Sequence, residues 1–210
     1  MKKKECEKFA RQYLIPQMPG FEVKGNLIYQ VPVGVVFRGY VFDSSSFEKT
    51  AFNPDVFVQP LYVPSEHLTM TLGRRLPGVW KLRSPNDKVL ADKFLQIMAE
   101  QGQLLLERLG TPEKIARNAE KTDGGSRNHY VRQAVAYSLI WIGENGEAIR
   151  KLDELLVMLK EMGSGIQKWA LEVHEEVSLL RAILVKEPSE AKALLAQWAE
   201  QTRQTLNLPT

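Results

Sequence analysis

Val79-Trp80-Lys81-Leu82-Arg83-Ser84-Pro85-Asn86-Asp87 (residues 79–87) is where the chain changes character. Before it, turn residues and short alternating apolar runs dominate. After it, Leu, Ala, Glu, Gln and Lys take over, the composition of helices. Of the 18 aromatic residues 12 lie within residues 1–83, and 8 of the 11 prolines lie within residues 1–85. Ser84-Pro85-Asn86-Asp87 itself reads as a helix start, with Ser84 as the cap and Pro85 in the first helical position. The break predicts an α+β protein: an N-terminal helix with an antiparallel β-sheet over 1–83, followed over 84–210 by an antiparallel α-helical bundle or a short helical-repeat array.

Working back from the break, His67 to Leu72 alternates most clearly and predicts a strand, with Leu68, Met70 and Leu72 inward and His67, Thr69 and Thr71 outward. Val56 to Val63 predicts another, interrupted at Pro60 as an edge or a bulge. Val35 to Phe42 is apolar on both faces, which predicts a covered strand. Asp43-Ser44-Ser45-Ser46 reads as a loop. Lys24-Gly25-Asn26, between Phe21-Glu22-Val23 and Leu27, predicts a tight hairpin turn, because Gly and Asn accept positive φ. Residues 3–14 predict a short amphipathic helix with Cys6, Phe9, Ala10, Tyr13 and Leu14 at helical spacing.

Working forward, one helix is expected from Ser84 to about Leu109, ended by Gly110. Thr111-Pro112-Glu113-Lys114 starts a short helix to about Lys121. Thr122-Asp123-Gly124-Gly125-Ser126 reads as a flexible loop. Helices follow from Asn128, with turns at Gly143-Glu144-Asn145-Gly146, Gly163-Ser164-Gly165 and Glu187-Pro188-Ser189. Ile149, Leu152, Leu155, Leu156, Leu159 and Met162 form one apolar face, and Ala170, Val173, Val177, Leu180 and Leu184 the next. Turns this short make neighbouring helices antiparallel.

The chain of 210 residues carries 28 Lys+Arg against 25 Asp+Glu, a single Cys and 44% apolar residues. The apolar fraction excludes global disorder and the lone Cys excludes a disulfide scaffold. The net charge of +3 averages +5 over residues 1–85 and −2 over residues 86–210. The basic start is no signal peptide, because Glu5, Glu7, Lys8, Arg11 and Gln12 interrupt any apolar stretch. No run is long and apolar enough for a membrane span, so a cytoplasmic protein without membrane contact is expected. Cys6 suits a reducing compartment, and on an exposed-looking terminal helix it has no neighbouring base to make it a nucleophile.

Gly143-Glu144-Asn145-Gly146-Glu147-Ala148-Ile149 and Lys186-Glu187-Pro188-Ser189-Glu190-Ala191-Lys192 are alike, 43 residues apart. With Tyr137 and Ile142-Gly143 closing one helix and Glu147-Ala148-Ile149 opening the next, the first copy resembles a tetratricopeptide hairpin. The early Trp and closing Pro of that family are missing, and the period is longer than its usual one. The resemblance implies a peptide- or protein-binding scaffold. The N-terminal part, through Gly20-Phe21, Gly25-Asn26 and Tyr29, looks like small bacterial domains of unknown function, which implies no chemistry.

Candidate chemistry is sparse. His67, His129 and His174 lack a second His three or four residues away, so no helical metal pair exists, and no metal or cofactor is expected. G-x-S-x-G and the phosphate-loop pattern are absent. Gly124-Gly125-Ser126-Arg127 lacks the Lys of such a loop. An arginine–histidine pair spaced as in some helical ribonucleases is also missing. Glu175-Glu176 and Asp153-Glu154 read as solvent-facing charge. Two groups stand out as partner-binding candidates: Arg74, Arg75, Lys81 and Arg83 near Trp80, and the helical tryptophans Trp141, Trp169 and Trp198. The expected function is a non-enzymatic protein-interaction module: an adaptor, an immunity-like binder or a complex subunit of bacterial cytosolic type. One alternative is a nucleic-acid-associated protein using Lys2, Lys3, Lys4 and the four sheet residues. Another is an enzyme with a dispersed site, for which Glu66, His67 and His129 are the candidates.

Overall fold

A computed structural model of the chain describes residues 2–44, 48, 50–122, 124–161 and 168–209. Expectations for Ser45, Ser46, Asp123, Met162 and Gly163-Ser164-Gly165 lie outside the described residues. The fold is α+β, and the chain forms two compact units. One comprises Met1–Gln59, Leu68–Gly110 and Pro209–Thr210; the other comprises Pro60–His67 and Thr111–Leu208.

In the first unit, α1 (Lys3–Phe9) continues through a π-helical turn (Ala10–Leu14) and a 3₁₀ turn (Ile15–Gln17). Its apolar stripe of Cys6, Phe9, Ala10 and Leu14 is buried. Cys6 is therefore not on an exposed face, and burial pushes its thiol up to about 11. The polar side of the helix holds the first hairpin. Arg11 bonds Glu7 and the Val23 carbonyl, while Glu7 accepts the Gly25 N–H at 3.1 Å. That hairpin is β1 (Phe21–Lys24) and β2 (Leu27–Gln30), with Lys24 opposite Leu27. The turn falls at Gly25-Asn26 as expected, and Gly25 has φ +63°.

β3 (Val36–Ser44) and β4 (Ala51–Pro60) extend the antiparallel sheet in the order β1-β2-β3-β4. Asp43 and Ser44, expected in a loop, are the last residues of β3. Pro60 ends β4 rather than interrupting a strand to Val63. The apolar run beyond it, Leu61-Tyr62-Val63, is buried in a turn closed by the Val63 N–H on the Pro60 carbonyl. Two short strands, β5 (Arg74–Arg75) and β6 (Trp80–Lys81), both pair with β4.

The expected strand at His67 to Leu72 is not formed. Its backbone bonds go elsewhere: the Thr69 N–H donates to the Gln59 side chain at 3.1 Å. Leu72 is buried but Met70 is exposed, so the alternation is that of an extended loop with one anchored residue.

The helix predicted from Ser84 begins later. Asp87 is the cap, accepting the Leu90 N–H at 2.9 Å, whereas the Ser84 hydroxyl accepts from Asn86 in the preceding turn. It is also not one helix. α2 (Lys88–Ile97) and α3 (Gln103–Leu109) are joined by a π-helical turn at Met98–Gly102. Gly102 lies against Tyr40, where a Cβ would stand 2.4 Å from the ring. The aromatic cluster Phe42, Phe52, Trp80 and Phe94 fixes α2 to the sheet, with ring centroids 5.0 to 6.3 Å apart. Arg38 donates to Gln30 and to the Gly110 carbonyl, closing the C-terminal end of α3.

In the second unit, α4 (Pro112–Asn118) is capped by the Thr111 hydroxyl, which accepts the Lys114 N–H at 3.3 Å. α5 (His129–Trp141) is capped by Asn128, and its residues Gln133 to Ile140 are all buried. α6 (Asn145–Glu161), α7 (Lys168–Lys186) and α8 (Pro188–Thr205) complete the unit. α5 packs on α6, α6 on α7, α7 on α8, and α8 returns to α5, so the four helices form a ring. Their predicted apolar faces supply the core: Leu152, Leu155 and Leu159, then Val177, Leu180 and Leu184, then Ala191 and Leu195. Tyr62 is buried against α5. Ser138 donates to the Ala134 carbonyl, so the Tyr62 hydroxyl donates to the Ser138 oxygen at 2.6 Å. No helix among the described residues is long and apolar enough to cross a membrane.

Candidate functional site

The register of β4 places three of the four basic candidates, Arg74, Arg75 and Lys81, while Arg83 lies beyond the end of β6. Arg75 lies opposite Asp55 and Lys81 opposite Ala51, four residues away along β4, or about 13 Å at the usual strand rise. Pairs an even number of residues apart share a face, so Arg75 and Lys81 share one side of the sheet edge. They serve two separate clefts.

The first cleft, about 570 Å³, is lined by Val41, Asp43, Asp55, Met70, Arg74 and Arg75. Its floor is apolar and its rim carries both signs of charge. Arg75 Nε reaches Asp55 at 3.3 Å and an Nη reaches Asp43 at 3.6 Å. The Arg75 side chain stays 59% exposed, while that of Asp55 is 12% exposed. Arg74 donates to the Gln101 carbonyl at 2.9 Å. Asp43, Asp55 and Met70 were not singled out from sequence. Asp55 is found only through the β4–β5 register, a nonlocal pairing, and Met70 only once its segment is seen not to be a strand.

The second cleft, about 420 Å³, gathers Lys81, Arg83 and Lys93 with Asp87, Val79 and Val89. Lys81 pairs with Glu48 at 2.7 Å, and hydrogen bonds from Lys81 and Thr50 hold the Glu48 carboxyl below the usual range. The neighbouring Trp80 is buried and donates its indole N–H to the Pro77 carbonyl at 3.0 Å. Trp80 itself lines this cleft beside Lys81 and Arg83, its ring packed on Phe52 and Phe94.

The three helical tryptophans are half-buried, each against a different aromatic partner. Trp141 stacks on Tyr62 at 5.3 Å, with the Lys192 ammonium 5.8 Å from its ring. Trp169 stacks on His129 at 4.4 Å, and burial lowers the His129 pKa. Trp198 packs 5.7 Å from Tyr137. Each indole thus has one face against the unit's own aromatic residues. A third cleft, about 800 Å³, lies among Ser126, Arg127, Arg132, Asp153, Glu154 and Val157, and none of the three tryptophans lines it. Its charges are cross-linked: Glu154 meets Arg132 and Arg150, and Asp153 meets Arg181.

Glu66 and His67 are exposed, and neither they nor His129 line any of these clefts. Glu175 faces solvent, but Glu176 is half-buried; burial, reinforced by Glu172, raises its carboxyl above the ordinary range. Among the described residues, no group of three or more His, Cys, Asp or Glu is placed to hold a metal ion. No protein-family model, curated protein or solved structure matches this chain.

Proposed function

We propose that the protein is a non-enzymatic protein-interaction module, an adaptor, immunity-like binder or complex subunit of bacterial cytosolic type, whose first contact is the Arg74–Arg75 cleft. The observation that carries this reading is Arg75 itself. Two aspartates fix its direction while most of its side chain remains open to solvent beside the exposed Met70. Arg and Met are enriched at protein interfaces, and a pre-oriented Arg loses little freedom on binding. Asp43 and Asp55 balance much of its charge, which suits a protein surface of mixed sign better than a run of phosphates. The tetratricopeptide likeness of residues 137–149 fits the same reading, since hairpins of that kind are scaffolds for peptide binding.

Capture of the tagged full chain from its host, beside an Arg75→Glu variant of unchanged circular dichroism, tests the proposal. A stoichiometric protein recovered with the parent and weakened about 30-fold or more by the variant is the expected outcome, the size of a typical interface anchor. Nuclease-sensitive recovery that ignores Arg75→Glu would overturn it in favour of a nucleic acid.

A further inference from the structure

A different surface, outside the Arg74–Arg75 cleft, points to a second copy of this chain. α7 buries Ala170, Val177, Leu180 and Leu184 on one side. The opposite side carries Leu171, Glu175, Leu179, Ala182 and Lys186, at steps of four, four, three and four residues, with Val185 beside them. These steps hold one stripe of a helix in line. Leu171, Leu179 and Val185 are 50%, 54% and 56% exposed.

The charges on this stripe are ordered. Glu172 and Glu175 occupy its N-terminal half, and Lys186 its C-terminal end. Of the other bases on α7, Arg181 is turned to Asp153 of α6, and Lys168 meets Glu172 at 3.3 Å in a solvent-exposed pair of the kind that contributes little. A parallel neighbour would set acid on acid and base on base. An antiparallel one related by a two-fold axis through Leu179 sets Glu172 of one copy opposite Lys186 of the other, seven residues on either side of the axis. In such an isologous contact each favourable pair occurs twice. Leu179 then meets its own counterpart at the centre, and the small Ala182 lets the helices approach.

We infer that two copies of the chain associate through antiparallel α7 helices, with Leu179 on the axis and Glu172–Lys186 pairs across it. Sedimentation equilibrium on the full chain at about 100 µM and low salt tests this in the range where weak dimers populate. A mass of twice the chain is expected, falling to one chain with Leu179→Asp at unchanged helical circular dichroism. Glu172→Lys and Lys186→Glu each weaken the dimer about tenfold, and the two together in one chain restore it, because the two-fold pairs every altered residue with the other. The charge variants decide the matter even where Leu179→Asp fails to fold. A parent chain that stays monomeric, or a dimer indifferent to the single swaps, overturns the inference.

Discussion

Gly102 illustrates what a single residue decides. It interrupts a stretch that otherwise reads as one helix, and an isolated Gly there signals only lowered helix propensity. The reason for it lies 62 residues away in Tyr40, whose ring occupies the space a Cβ would need. Gly102→Ala should therefore destabilise the protein by about 1–2 kcal/mol, overpacking outweighing the gain in helix propensity, as urea unfolding would measure. Cys6 was likewise opaque: its place on the apolar stripe was readable, but its burial depends on what covers α1. Arg74 and Arg75 were legible as candidates because charge is written in the sequence. Their setting between Asp43, Asp55 and Met70 was not, because it follows from strand pairing.

Elements were readable where their signals are local. The Gly25-Asn26 hairpin, the Thr111-Pro112 start and the Asn128 start all lie where turn and cap chemistry put them. The failures share a cause: two local patterns compete and tertiary contacts choose. Ser84 and Asp87 both precede α2 with capping side chains, and Asp87 prevails while Ser84 closes the turn before it. Asp87→Ala should cost about 1 kcal/mol and Ser84→Ala a few tenths, a difference that paired thermal melts would resolve. The alternation at residues 67–72 promised a strand, but Gln59 takes the Thr69 N–H that a ladder would need. Loss of that strand is what exposes Met70 and opens the cleft beside Arg75.

At the scale of the whole molecule, the composition break near Ser84 separates strand-rich from helix-rich sequence, yet the compact units do not follow sequence continuously. Pro60–His67 leaves the sheet unit between β4 and β5 and belongs with the helices. Tyr62 is its anchor, fully buried, bonded to Ser138 and stacked on Trp141. Tyr62→Ala should cost about 3–5 kcal/mol, read as a lowered urea midpoint of the helical signal, with Tyr62→Phe costing about 1 kcal/mol for the lost hydrogen bond. This excursion also bears on inheritance. A gene fragment starting at Thr111 would encode every helix of the ring but not the buried tyrosine that bonds Ser138 and stacks on Trp141 of α5, and a fragment ending at Gly110 would carry that tyrosine without its partners. The two halves are therefore poor cassettes for recombination, and exchange between genes should move this chain whole.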